Sequence, residues 1–233
     1  MMDKSLVVVK IQQQLRALGY YKGLIDADYG KGTKQAVIDM QDKSGLLVDG
    51  VAGANTQSRL NALTSNAWLN LFIHCSATYA GKHYTGEQVK LWHTLSKSKG
   101  GRGWSRAGYS DVIELDGKLV NLRPFDQDDL ISDWEYTFGV KHSTLLNRNA
   151  RHICYIGGCP PHTLMDIEDT RTDAQNYTLE TYIKYQLLRN PNLVIAGHNQ
   201  VQHKGCPSFD VPEWLESIGI PKYNIANWGK LYK

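Results

Sequence analysis

At 233 residues, 42% of them hydrophobic and 21% charged, the chain is long enough for one large domain or for a small one beside a medium one. A formal net charge of +3 and a pI near 8.5 suit an anionic substrate surface without demanding one. No Lys/Arg block and no nucleic-acid motif occurs, which argues against DNA or RNA as partner.

The opening "MMDKSLVVVKIQQQL" carries a four-residue apolar run before lysine and glutamines. That is too short for a signal-peptide core or a membrane span, so synthesis in the cytosol without membrane insertion is expected. From Ser5 onward, Val8, Ile11, Leu15 and Leu18 fall at helical spacing, and Gly19 supplies a stop. A pattern then occurs twice. "DADYGKGT" places Asp26, Gly30 and Thr33 as D-x-x-x-G-x-x-T, and "DGVAGANT" places Asp49, Gly53 and Thr56 in the same way. The aspartates suit hydrogen bonds to their own turn amides, and each threonine is expected to cap the helix that follows. Asp26-x-Asp28 opens like a calcium loop, but Val51 replaces the matching acid in the second copy and neither copy has a closing Glu. Structural turns in a three-helix bundle are the better reading.

Residues 64–70 read as a junction, with the linker expected at 65–70. "LNLFIHCSAT" is an apolar run of strand length with His74 near its end. Thr85-x-x-Gln88 is a capping-box signature, and Leu91, Trp92 and Leu95 are expected to form the buried stripe of the next helix. "SDVIELDGKLVNLR" reads as a hairpin with Asp116-Gly117 in a two-residue turn. "RHICYIGG" is a further strand. "TDAQNYTLETYIKYQLLRN" is a helix with Leu179, Tyr182, Ile183, Gln186 and Leu187 along one side, and "NLVIAGH" is a strand ending at His198.

Both His74 and His198 thus sit where an apolar strand emerges into a loop, and Cys206 follows eight residues after His198. Two His and one Cys make a good zinc set with a fourth position left for water. Chance also places strand-end histidines easily among eight, and His-x7-Cys is not diagnostic by itself. Cys206 as a nucleophile with His198 or His203 as base uses the same residues, without a cysteine-protease signature around it. Acids suited to a glycosidase are present (Glu87, Glu114, Asp166, Glu168), but no pair stands out. The four cysteines, Cys75, Cys154, Cys159 and Cys206, follow no paired spacing, so free thiols or metal ligands are expected rather than disulfides.

Two resemblances order these readings. "LGYYKG", "D…YG..T" and "GL.VDG..G..T" arrive in sequence over about residues 5–63, which closely resembles the peptidoglycan-binding domain of many cell-wall hydrolases. Met40 stands where that family usually has an aromatic. The resemblance implies targeting to the wall; Tyr20, Tyr21 and Tyr29 suit stacking on sugars and suit the core equally well. From about Leu69 to Trp214, "FIHCSAT", "WH…RGWSRAGYSDVIELDGKLVNLRP", "H….N.NARHICYIGG" and "VIAGHNQVQHKGCPSFDV..W" resemble the zinc N-acetylmuramoyl-L-alanine amidases of the phage-lysozyme type, relatives of the peptidoglycan recognition proteins.

By position, that resemblance implies zinc held by His74, His198 and Cys206, with Tyr109 contacting the catalytic water and Lys204 steadying the transition state. His93, His142 and Asn147 fall on recurring family positions without a zinc role. Ser110 replaces the His or Asn often found after the tyrosine, and His203 is an added imidazole beside the site. The expected architecture is a small all-α three-helix peptidoglycan-binding domain at 1–64 and an α/β amidase domain at 71–233, its mixed central sheet flanked by helices. The pair resembles a phage endolysin, a monomer made in the host cytoplasm that lyses the host by cutting peptidoglycan. A non-catalytic wall receptor and a muropeptide-recycling amidase are the competing expectations.

Overall fold

The computed structural model describes residues 4–65, 69–123 and 150–228. Helices α1 (Lys4–Ala17), α2 (Lys31–Lys43) and α3 (Ala54–Leu63) form the N-terminal module, with Gly19 at φ 83° turning the chain after α1. Leu6, Val9, Ile11, Leu15, Val37, Met40 and Leu60 fill its core. Tyr21 belongs to that core, and Tyr20 and Tyr29 pack against it. The Tyr21 hydroxyl donates to Leu24 O at 2.9 Å and that of Tyr29 to Gly50 O at 3.1 Å.

The repeated turns owe their shape to two buried glutamines from the preceding helices. Gln12 Nε2 donates to Asp26 Oδ1 (2.7 Å), Asp28 O (2.9 Å) and Thr33 Oγ1 (3.0 Å), while its Oε1 accepts from the amides of Asp26 and Ala27. Gln41 does the same one repeat later. Its Nε2 reaches Asp49 Oδ1 (2.9 Å), Val51 O (3.0 Å) and Thr56 Oγ1 (3.1 Å), and its Oε1 accepts from Asp49 and Gly50. Thr33 and Thr56 are therefore not helix caps. Gly30 and Gly53 occupy those positions, and the two hydroxyls point inward to their glutamines. The aspartate oxygens are engaged inside the turns, which supports the structural reading over a calcium loop. Gln41→Ala leaves several buried groups without partners, so unfolding free energy should fall by roughly 1–3 kcal/mol in a urea titration. An unshifted midpoint would show that the turn stands without its glutamine.

The α/β domain is built on a five-stranded sheet in the order β4–β3–β5–β1–β7. Its strands are β1 (Asn70–Cys75), β3 (Asp111–Ile113), β4 (Leu119–Asn121), β5 (Ala150–Tyr155) and β7 (Val194–Gly197); β2 (Thr78–Tyr79) and β6 (Gly158–Cys159) form a separate parallel pair. β3, β5, β1 and β7 run parallel, and β4 joins antiparallel to β3. Every residue of β1, β5 and β7 is buried, which is why these strands read as apolar runs and not as alternating ones. The hairpin connection spans three residues, 115–117, and not two: Glu114 N bonds Lys118 O, and Gly117 takes φ 86°.

Capping boxes open α4 (Gly86–Thr94) at Thr85/Gln88 and α5 (Asp173–Arg189) at Thr172/Gln175, and α6 (Val211–Ser217) follows near the C-terminus. The buried stripe of α4 is Val89 and His93, whereas Leu91 and Trp92 are exposed. The i,i+4 pair, not the bulkier neighbours, faces the sheet. α5 packs Leu179, Tyr182 and Ile183 onto the face formed by Leu71, Ile73, Ile153 and Ile195. Beneath it Asp111 accepts from Arg151 (2.7 Å), Tyr182 (2.6 Å) and Asn121 (2.7 Å), a buried charge with its hydrogen bonds satisfied.

The opposite face of β1 presents Asn70, Phe72 and His74. Phe72, Ala150, Val194, Ala196 and Trp228 share one apolar cluster with the helical module, so α1 is buried on two sides. Gln13 and Asn70 exchange side-chain hydrogen bonds at 2.6 and 3.2 Å. Arg16 donates to Tyr223 O (2.8 Å) and Asn192 O (2.9 Å), with its guanidinium 3.9 Å above the Tyr223 ring. Among the described residues no helix is long and apolar enough to cross a membrane.

Candidate metal centre

The same face of β1 that meets the helical module ends in a cluster of imidazoles. Parallel pairing puts β5 and β7 on either side of β1, so the ends of β1 and β7 open at one edge of the sheet. His74 lies at the penultimate position of β1, and His198 is the first residue after β7. The loop from His198 returns Cys206 to them. One donor atom each from His74, His198 and Cys206 lies within 4.8 Å of the others, and among the described residues this is the group of His, Cys, Asp or Glu close enough to share an ion. Cys206 Sγ stands 3.7 Å from His74 Nδ1. A tetrahedral ion with ordinary zinc–sulfur and zinc–nitrogen bonds would separate such a pair by ~3.6 Å. The donor set therefore fits zinc in its chemistry, and the Cys206–His74 pair fits it in spacing.

Protonation agrees. Burial first, then the neighbouring charges of His198 and His152, holds His74 well below the usual imidazole range. Burial lowers His198 to about 4, although a hydrogen bond with the Gln202 side chain works in the opposite direction. Both rings are thus neutral at pH 7 and have lone pairs to offer. Burial and the adjacent Cys75 push the Cys206 thiol up, so a thiolate here needs a nearby cation. The Cys75 amide, 3.3 Å from Cys206 Sγ, is placed to donate to that thiolate.

Tyr109 is 8% exposed, its ring centroid 5.2 Å from that of His74. His93 holds it there: the rings meet edge-on at 5.1 Å, and His93 Nδ1 accepts from Gly108 N at 3.1 Å. Trp104 stacks on His93 at 4.7 Å. His93, at about 4 because of burial and then the Arg102 charge, is a neutral prop for the tyrosine loop. Lys204 and His203 are exposed on the loop that carries Cys206, and His203 does not join the three donors. The Lys204 charge nonetheless reaches His74 and His198 and disfavours their protonation. His142 and Asn147 lie outside the described residues.

The alternatives gain little. Of the acids, Glu114 accepts from Gly86 N at 2.9 Å in a structural contact, and Glu87, Asp166 and Glu168 are exposed. Two buried residues escaped the sequence reading. His152 Nδ1 lies 2.8 Å from His74 Nε2, and Gln202 bonds His198. The one available signal for His152 was an imidazole inside the otherwise apolar "HICYI" run.

Comparison with known proteins adds to this geometry. Residues 5–60 match the family model of the peptidoglycan binding domain. The chain is 28% identical over 146 residues to the endolysin of Escherichia phage T7, an alignment covering 63% of this chain and 84% of that protein. The chain is a modular homologue of the phage endolysins. A 54-residue stretch of this endolysin homologue is also 50% identical to the spore cortex-lytic enzyme of Bacillus subtilis, covering 23% of this chain and 18% of that enzyme. Among solved structures it is similar to the N-acetylmuramoyl-L-alanine amidase LysC of Clostridium intestinale, with 18% identity, a TM-score of 0.47, and coverage of 67% of this chain and 89% of that one. In the endolysin homologue a peptidoglycan-binding module is joined to an α/β domain with a mixed sheet.

Proposed function

We propose that the chain is a peptidoglycan hydrolase of host lysis, a zinc-dependent N-acetylmuramoyl-L-alanine amidase that cleaves the amide between N-acetylmuramic acid and L-alanine of the stem peptide. The observation that carries this reading is the convergence of His74, His198 and Cys206 at one sheet edge beside Tyr109, in a homologue of phage endolysins. The module at 1–64 holds the wall and the domain at 71–233 cuts it.

His74, His198 and Cys206 would hold the zinc, which when bound supplies a Lewis acid able to acidify water and polarise a carbonyl. The two histidines contribute neutral nitrogen donors because burial keeps protons off them at neutral pH. The Tyr109 hydroxyl orients the attacking water and passes a proton to the departing amine nitrogen; a phenol, whose reference pKa is near 10, suits a relay better than a base. The Lys204 ammonium stabilises the oxyanion that forms on the lactyl carbonyl, an effect worth ~3 kcal/mol per donor elsewhere. Water adds across the amide, leaving a carboxylate on the lactyl group and a free amine on L-alanine.

The test is digestion of purified sacculi by the full-length protein, with EDTA-stripped and zinc-restored samples alongside. Mass spectrometry should find stem peptides beginning at L-alanine, lost with EDTA and regained with zinc. New reducing sugar ends would make the enzyme a glycosidase. Binding without cleavage would leave a wall receptor, and cleavage confined to soluble muropeptides would leave a recycling amidase.

A further inference from the structure

We propose that His152 is the positioning residue of the centre: it accepts the ring proton of His74 at Nε2 and thereby presents the Nδ1 lone pair of His74 to the ion. The inference rests on the zinc reading above and gives a role to a residue that lies within a motif quoted above but is outside the ligand set.

Strand register creates the contact. Phe72 is in register with His152 and His74 with Cys154, so both imidazoles stand on one face of adjacent parallel strands, one step apart along the diagonal. Their rings lie 5.0 Å apart between centroids, and His74 Nε2 sits 2.8 Å from His152 Nδ1. The other nitrogen of His74, Nδ1, is the one that faces Cys206 Sγ. A neutral imidazole has one N–H and one lone pair. If Nδ1 is to bind an ion, the proton must be on Nε2, and Nε2 must have an acceptor. His152 Nδ1 stands 2.8 Å away, at hydrogen-bond distance, and it accepts when its own proton is on Nε2. The reverse arrangement, with His152 donating, puts the His74 proton on Nδ1 and turns the ligand away from metal.

His152 is itself held rigidly. It is 1% exposed, stacks on Phe72 at 5.3 Å and 26°, and its main chain is clamped by Ser110 on both sides. Ser110 N donates to His152 O at 2.8 Å, and His152 N donates to Ser110 Oγ at 3.2 Å. A histidine kept only for packing needs no hydrogen bond to the second nitrogen of a metal ligand. Partners of this kind fix the ring orientation and tautomer of the ligand, and their loss elsewhere costs ~10–100-fold in metal affinity.

The deciding experiment compares zinc affinity by chelator competition in the full-length wild type, His152→Phe and His152→Asn. Phenylalanine keeps the stack on Phe72 and removes the acceptor, so the zinc Kd should rise ~10–100-fold. Asparagine places an acceptor oxygen close to the Nδ1 position and should recover most of that loss. Equal affinity in all three proteins would overturn the role. Imidazole nitrogen–proton correlation spectra of the zinc-loaded wild type provide a second reading that needs no variant to fold. They should show His74 protonated at Nε2 and His152 protonated at Nε2; a proton on His152 Nδ1 would also overturn it. A wild type that binds no zinc would sink the zinc reading itself, an outcome distinct from a wild type that binds zinc without help from His152.

Discussion

Cys206→Ser should lose zinc and hydrolysis together. A serine hydroxyl is nearly the size of the thiol but ionises far less readily, so the buried site is left with two neutral nitrogens and no anionic donor. The environment of Cys206 makes the loss steep. Burial raises the thiol, and only a cation together with the Cys75 amide would make the thiolate favourable. Zinc affinity should therefore fall by more than the ~100-fold that removal of an orienting partner costs. Metal content after dialysis and release of stem peptides from sacculi are the two readouts. Serine is nearly isosteric with cysteine and Cys206 forms no disulfide, so the metal-free variant should unfold at the same urea concentration as the metal-free wild type. A variant that keeps its zinc would falsify the ligand assignment.

Tyr109→Phe separates chemistry from metal binding. The ring is held by packing against His93 and His74, and phenylalanine keeps both contacts. The hydroxyl disappears, and with it its hydrogen bond to the Cys154 thiol. Zinc content should match the wild type, while kcat falls ~10²–10⁴-fold, the usual contribution of a positioned proton-transfer group. KM should change little, because the side chain is 8% exposed and offers a substrate little surface. Unchanged turnover would remove Tyr109 from the mechanism and shift attention to Lys204 and solvent.

Much of the fold was readable because its signals are local. Apolar runs marked the parallel strands, Thr85 with Gln88 three residues on marked the start of a helix, and the strand-end histidines followed from those runs. What stayed hidden depended on partners distant in sequence. Thr33 and Thr56 looked like caps because their glutamines lie on preceding helices, 21 and 15 residues away. Leu91 and Trp92 are bulky and apolar, but helix orientation puts Val89 and His93 against the sheet. His152 was invisible for the same reason: its meaning depends on a strand register that joins it to a residue 78 positions earlier. Ligands can be read from residue type and spacing, but the groups that aim them belong to the assembled sheet.

The shared face of β1 has a mechanical consequence. Asn70 is tied to Gln13 of the helical module, Phe72 lies in the module's own apolar cluster, and His74 is the next residue on that face. The grip on the wall and the cutting edge are therefore mounted on one beam, with Arg16 as a second bolt. A module on a loose string would only keep the enzyme nearby. Mounted this way, it works as a jig that sets both the distance and the angle at which the blade meets the polymer. Sawing the chain apart near residue 65 would not yield two intact tools, since the cut bares the apolar side of the beam beside the blade.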